Sequence, residues 1–192
     1  MLRTALALCL ALVAGRAGAE VRLSIDITTS PAVPFELAFD DIQAAGATAT
    51  SLTVFWDDLE RGGTYAPEFD WPAIANQVYP QTEMGVSLTI SVIDTVADRR
   101  PDDLRGKAWD DPDVIRRFHL FLDAVLARMP DTDLLSLTIG NEVDGFLAAP
   151  GDVAAYARFV SAAASHVAAR DMPVGTKLTF GAMKRPDLWA PL

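Results

Sequence analysis

Apolar and polar positions alternate between two periods along this chain. From Val21 to Ile27 the order V-R-L-S-I-D-I has period two, as in a half-buried strand. Phe35 to Ala45 carries apolar residues at helical spacing and meets Gly46, a helix stop. Ala49 to Trp56 reads as a second strand. Trp71 to about Tyr79 reads as a second helix, with Asp70 as its N-cap and Pro72 in its first turn. Val86 to Ile93 is an apolar run rich in β-branched residues, a third strand. Asp111 to Met129 predicts a third helix, with Phe118, Phe121, Leu122, Val125 and Leu126 on one face. Leu134 to Ile139 is the fourth strand, and Asp152 to about Arg170 the fourth helix. Lys177 to Gly181 is the fifth strand.

Strict alternation of strand and helix predicts an α/β domain with a parallel sheet and right-handed crossovers. Four βα units are followed by one extra strand. No G-x-G-x-x-G follows the first strand and no G-x-x-x-x-G-K-[S/T] is present, so nothing supports a nucleotide-binding sheet. No internal repeat, low-complexity tract or linker is evident, so residues 20–192 read as one domain. The loops after the second and third strands, Asp57 to Phe69 and Asp94 to Asp110, are long and rich in acidic, basic and aromatic residues. In a (β/α)8 barrel the loops at the carboxyl ends of the strands build the active site; doubly wound sheets follow a similar rule.

Charge narrows the partners. The net charge of −10 over 192 residues repels phosphate backbones and anionic bilayers, which argues against nucleic acid or membrane as a partner. The first residues read as a secretory signal spanning 1–19. Arg3 supplies the positive charge, Ala5 to Ala14 the apolar run, and Ala17-Gly18-Ala19 the small-residue cleavage site before Glu20. The expected location is therefore periplasmic or extracellular. The single cysteine, Cys9, lies inside that run, so the mature chain has no cysteine chemistry. His119 and His166 read as helix-surface residues, far apart in sequence. No metal motif and no organic cofactor site is evident.

Candidate chemistry concentrates at Leu137-Thr138-Ile139-Gly140-Asn141-Glu142. Glutamate is a poor strand residue, so its place at a strand tip suggests a task there. Gly140 allows a ligand or a neighbouring backbone to approach. Asn141 offers both a donor and an acceptor, and Glu142 a carboxyl tunable as a general acid. The bland alternative is that the pair merely opens a loop. Gly-Asn-Glu after a fourth strand resembles the acid/base signature of the clan A (β/α)8-barrel retaining glycoside hydrolases. Trp56-Asp57-Asp58-Leu59-Glu60, with Gly63, Tyr65, Phe69 and Asp70-Trp71, resembles a second stretch of that clan. The proline expected after the glutamate is Arg61 here.

That resemblance implies an incomplete (β/α)8 TIM-barrel-type fold, with Glu142 as acid/base and Asn141 as the contact to the sugar 2-hydroxyl. Trp56, at its strand tip, is the candidate sugar-stacking wall, and Asp94, the first polar residue after an apolar strand, a candidate hydroxyl contact. Tyr65 and Phe69 are expected in the loop core, and Glu60 is expected to tie down its own loop. Asp26, Thr28 and Asp57 stand at other strand tips. The implied nucleophile, a glutamate ending a seventh strand, has no counterpart; Asp187 lies beyond the fifth strand.

The expected function is hydrolysis of a β-linked oligo- or polysaccharide by a retaining mechanism, with this chain alone inactive and a truncated gene product. One alternative is a non-catalytic carbohydrate-binding or scaffold protein; another is an unrelated exported protein in which Gly-Asn-Glu is coincidental. An open barrel would expose inward-facing apolar residues among Leu52, Val54, Leu88 and Leu137, so self-association through the open edges is also expected.

Overall fold

The computed structural model describes residues 22–27, 34–147 and 149–192. The secretory signal over residues 1–19 and the strand-tip candidate Thr28 lie outside the described residues. Among the described residues there are six helices and seven strands, some of only two residues, along with short 3₁₀ turns. They are α1 (Phe35–Ala44), β1 (Ala49–Phe55), α2 (Trp56–Leu59), β2 (Glu60–Arg61), β3 (Thr64–Tyr65), α3 (Trp71–Val78), β4 (Gly85–Asp94), β5 (Ala97–Asp98), α4 (Pro112–Leu126), β6 (Leu134–Asn141), α5 (Pro150–His166), β7 (Val174–Gly175) and α6 (Pro186–Trp189).

The main sheet runs β1-β4-β6-β7, with every neighbour parallel, and β5 folds back on β4 as a hairpin. Spatial order equals chain order. Right-handed crossovers taken always in the same direction put α3, α4 and α5 on one face of the sheet. A doubly wound sheet would reverse direction at a switch point, and this one does not.

Local chemistry starts the helices where the sequence indicates. The Asp70 carboxylate accepts from the Ala73 amide at 3.2 Å, and the Asp111 carboxylate from the Asp113 amide at 2.8 Å. Each caps an amide that the helix leaves unpaired, and a proline follows within the first turn.

Three strands carry the same four-residue pattern in register: Ser51-Leu52-Thr53-Val54, Ser87-Leu88-Thr89-Ile90 and Ser136-Leu137-Thr138-Ile139. The chain does therefore hold a short internal repeat. Alternate residues of a strand face opposite sides. Leu52, Leu88 and Leu137 form one row on the helix side, and Val54, Ile90 and Ile139 the next. All but half-buried Leu52 are at most 2% exposed, and they share a core with Phe118, Phe121 and Leu122 of α4 and Tyr156 and Phe159 of α5. The opposite face carries Ser51, Ser87 and Ser136, then Thr53, Thr89 and Thr138. The expected inward-facing apolar residues thus point to the helices, and small hydroxyl side chains occupy the inner face. A closed barrel usually fills that space with bulky branched side chains.

Two strand expectations need correction. Residues 22–27 form no extended ladder: a parallel bridge joins Ser24 to Ala49, with the Ile25 amide donating to the Ala49 carbonyl at 3.1 Å and the Thr48 and Ala49 amides donating to the Leu23 carbonyl at 2.9 and 3.2 Å. The fifth strand is not Lys177 to Gly181. It is Val174–Gly175, paired with Leu137 and Thr138. Pro173 fixes this register, because its carbonyl accepts from the Leu137 amide at 2.9 Å. Phe180 to Lys184 then turns as a 3₁₀ helix, leaving Phe180 exposed.

Candidate active site

At the carboxyl end of β6 the backbone leaves extended geometry. Gly140 has φ +80°, and a Cβ there would lie 2.4 Å from the Tyr156 hydroxyl oxygen and 2.5 Å from Val143 Cγ1. Only glycine fits both the angle and the space. The close neighbour is the side chain of Tyr156 on α5, whose hydroxyl donates to the Ile139 carbonyl at 2.8 Å. Burial pushes that phenol well above its usual range, so it stays a neutral donor. Glu142 follows with φ 50° and ψ 45°, left-handed backbone that costs a non-glycine residue about 1–2 kcal/mol.

Asp94 ends β4 directly beside Asn141. The Asn141 amide group donates to the Asp94 carboxylate at 3.0 Å. The next residue, Thr95, also has left-handed backbone, with φ 54°. Its amide donates to the Asn141 carbonyl at 2.9 Å, and its hydroxyl donates to Glu142 Oε2 at 2.9 Å. Gly145 lets the chain pass close by, since a Cβ there would lie 2.5 Å from the Thr95 carbonyl. Asp94, Asn141 and Glu142 are thus gathered at one end of the sheet, all half-buried. Asp144, one turn on, accepts from both the amide and the hydroxyl of Thr179. The neighbouring Lys177 donates its ammonium to Thr89 on the inner face at 2.9 Å.

Trp56 is not a sugar-facing wall. It is fully buried, its ring 5.0 Å from Phe118 and 5.8 Å from Phe121, and its indole N–H donates to Glu60 at 2.7 Å. The cause is local: the chain turns into α2 at Trp56, which swings the side chain under the sheet's helix side. Glu60 ties down its loop, also accepting from the Gly63 amide and from Arg117. Tyr65 is half-buried and donates to Asp70 at 2.7 Å. Phe69 is not loop core; it is 59% exposed and stacks on Trp71, which is 51% exposed.

Asp57 follows the end of β1 and pairs with Arg99 and Arg105 at 3.0 Å each. Burial raises its carboxyl above the usual aspartate value, against the lowering pull of Arg99. His119 and His166 do meet, stacked at 4.2 Å between α4 and α5. Among the described residues, no group of three or more histidine, cysteine, aspartate or glutamate side chains is placed to hold a metal ion.

Thr95 escaped the sequence reading. Its task depends on a partner 47 positions away, and no local spacing announces it.

No family model matches the chain, and no curated protein matches it. Solved structures do. A GH5_18 structure from Bifidobacterium longum subsp. longum superposes with a TM-score of 0.59 at 14% identity, over 74% of this chain and 37% of that one. An exo-beta-1,4-mannosidase, Op5Man5, from an Opitutaceae bacterium superposes with a TM-score of 0.57 at 16% identity, over 77% of this chain and 30% of that one. The chain thus spans about a third of the length of these structures. At such identities the likeness establishes the fold: the chain has the architecture of one part of a (β/α)8 barrel of the kind those structures carry.

Proposed function

We propose that this chain carries the acid/base side of a glycosidase-type site, acting on a β-linked oligo- or polysaccharide. One observation supports this above the rest. Glu142 stands in strained backbone at the carboxyl end of a parallel strand, with Asn141 and Asp94 beside it and Thr95 holding its carboxyl. Left-handed backbone of this kind clusters at active sites, and here two such residues meet at one strand end. In this reading Glu142 protonates the glycosidic oxygen and later takes a proton from water, while Asn141 contacts the sugar 2-hydroxyl and Asp94 orients Asn141. The fold shared with a solved exo-beta-1,4-mannosidase fits a carbohydrate substrate. Export to the periplasm or outside the cell remains part of the proposal, and it rests on residues 1–19 alone.

A retaining mechanism needs a second carboxylate about 5–5.5 Å from the first. Among the described residues at this end of the sheet, Asp57 and Asp58 pair with Arg99, Asp94 accepts from Asn141, and Asp144 accepts from Thr179. These engagements favour a second reading, in which the chain binds carbohydrate without turning it over. Hydrolysis of a panel of aryl β-glycosides at high protein concentration, by the chain alone and joined with a segment that completes the barrel, separates the two. Turnover that disappears in Glu142→Gln supports the acid/base reading. Saturable oligosaccharide binding without turnover supports the second, and neither activity would sink both.

A further inference from the structure

A cavity of about 300 Å³ opens beside the carboxyl-terminal half of β1, apart from Glu142. Its lining includes Thr53 and Phe55 from the strand and Asp58, Arg61, Glu68, Phe69 and Trp71 from residues 57–71. Phe69 and Trp71 are its notable members. Their rings stack at 6.0 Å with planes 28° apart, and both remain more than half exposed. Two adjoining large aromatics left in water forgo the burial that normally stabilises such side chains. Beside them, the side chains of Arg61 and Glu68 are exposed and have no ion-pair or hydrogen-bond partner among the described residues. The cavity therefore offers aromatic faces together with an unengaged guanidinium and an unengaged carboxylate.

We infer that this cavity is a secondary carbohydrate subsite, in which a pyranose ring of a β-linked oligosaccharide lies on the Phe69–Trp71 pair while Arg61 and Glu68 bond its hydroxyls. A pyranose ring matches this lining because it carries a C–H face and a hydroxyl rim at once. A purely apolar ligand would use the aromatic faces alone and gain nothing from the two charged side chains. Position fits as well. β1 lies two strands from β6, about 10 Å across the sheet at ordinary strand spacing. Parallel strands put the loop after β1 and the Glu142 tip of β6 on the same end. A chain of several sugars therefore reaches both places, and a single sugar does not. The inference takes its ligand class from the proposed function and adds where that ligand is held beyond the reacting bond.

Trp71 gives the subsite its own reporter. Of the four tryptophans, Trp56, Trp109 and Trp189 are 0%, 4% and 9% exposed, against 51% for Trp71. Titration of the full chain with β-1,4-linked mannotetraose, cellotetraose and xylotetraose is expected to shift the tryptophan emission saturably for at least one of them. The matching monosaccharide should bind much more weakly. Calorimetric affinity is expected to fall roughly tenfold or more in Phe69→Ala and in Trp71→Ala, and to be largely kept in Trp71→Phe. Both side chains are exposed, so melting temperatures of these variants should match the parent. Absence of binding by all three tetrasaccharides, or unchanged affinity in a Phe69→Ala/Trp71→Ala double variant, would overturn the subsite. The acid/base reading would still be decided by the Glu142→Gln hydrolysis assay.

Discussion

The hydroxyl of Thr95 holds the carboxyl of Glu142 at 2.9 Å, and both residues have left-handed backbone, at φ 54° and φ 50°. Two strained residues facing each other across neighbouring strand tips form a poor arrangement for stability alone. Replacing Glu142 with glycine relieves about 1–2 kcal/mol of backbone strain and gives up a hydrogen bond worth about 1 kcal/mol. The greater freedom of glycine in the unfolded chain takes back some of the gain. Glu142→Gly is therefore expected to leave the unfolding free energy unchanged or slightly raised in urea titration. A loss of more than ~1 kcal/mol would mean that the glutamate serves the fold.

Gly140 should behave in the opposite way. An alanine Cβ would meet Tyr156 and Val143 at 2.4 and 2.5 Å, in backbone that already disfavours a side chain. Overpacking and strain together should cost about 2–4 kcal/mol. Gly106 is the control. Its φ is +82°, but an added Cβ meets nothing within 4 Å. Gly106→Ala should cost only about 1 kcal/mol. Similar losses for both variants would show that the Tyr156 contact does not constrain the strand tip.

The longer helices and the three central strands were legible in the sequence because they bury one face with a clear period. The helix of residues 112–126 announces itself by Phe118, Phe121, Leu122 and Val125, and its Asp-Pro start by capping chemistry. Asn141 and Glu142 were legible as a strand tip, since an apolar strand ended there. Their partners were not. Asp94 meets Asn141 only because β4 and β6 are neighbours in the sheet, and Thr95 meets Glu142 for the same reason. Trp56 misled because an aromatic residue at a strand end looks alike whether the chain continues outward or turns into a helix. The Trp56–Glu60 spacing of four, now seen as an indole-to-carboxylate bond, was the available signal. The Ser-Leu-Thr repeat was in plain view, yet its meaning depends on a register that places three copies side by side.

The stacked histidines predict an acid-sensitive contact between two helices. Burial holds His119 below the usual histidine value of 6.5, and the neighbouring His166 adds to the effect; a bond to the Ala162 backbone and the charge of Asp123 pull the other way. The folded protein thus binds this proton less tightly than the unfolded chain. Stability is full above pH 6.5 and is lost as pH falls through that value toward the lowered folded one. Asp103, held down by its bond to Arg117, contributes stability that is lost only below the usual aspartate value of 3.8. Between those limits the loss belongs mainly to His119. Melting temperatures measured from pH 8 to pH 4.5 are expected to decline below 6.5, and less so in His119→Asn. A parent protein as stable at pH 5 as at pH 7.5 would contradict the assignment.

Leaving-group dependence gives the sharpest test of Glu142, because an acid matters only where the departing oxygen needs a proton. A nitrophenolate leaves as a stable anion, whereas a sugar alkoxide does not. Where the chain shows turnover, alone or joined with a segment that completes the barrel, Glu142→Gln should cut hydrolysis of oligosaccharides about 10²–10⁴-fold. On dinitrophenyl glycosides the first step should keep most of its rate. The glutamine preserves size and can still accept the Thr95 hydroxyl bond, so the fold should be retained. Asn141→Ala should behave differently. It removes a contact to the sugar, leaves the acid in place, and takes from Asp94 the hydrogen bond that Asn141 donates. Its loss should therefore be similar for good and poor leaving groups. If Glu142→Gln also lost equal activity on both kinds of substrate, Glu142 would be a binding residue and the acid would have to be sought elsewhere at this end of the sheet.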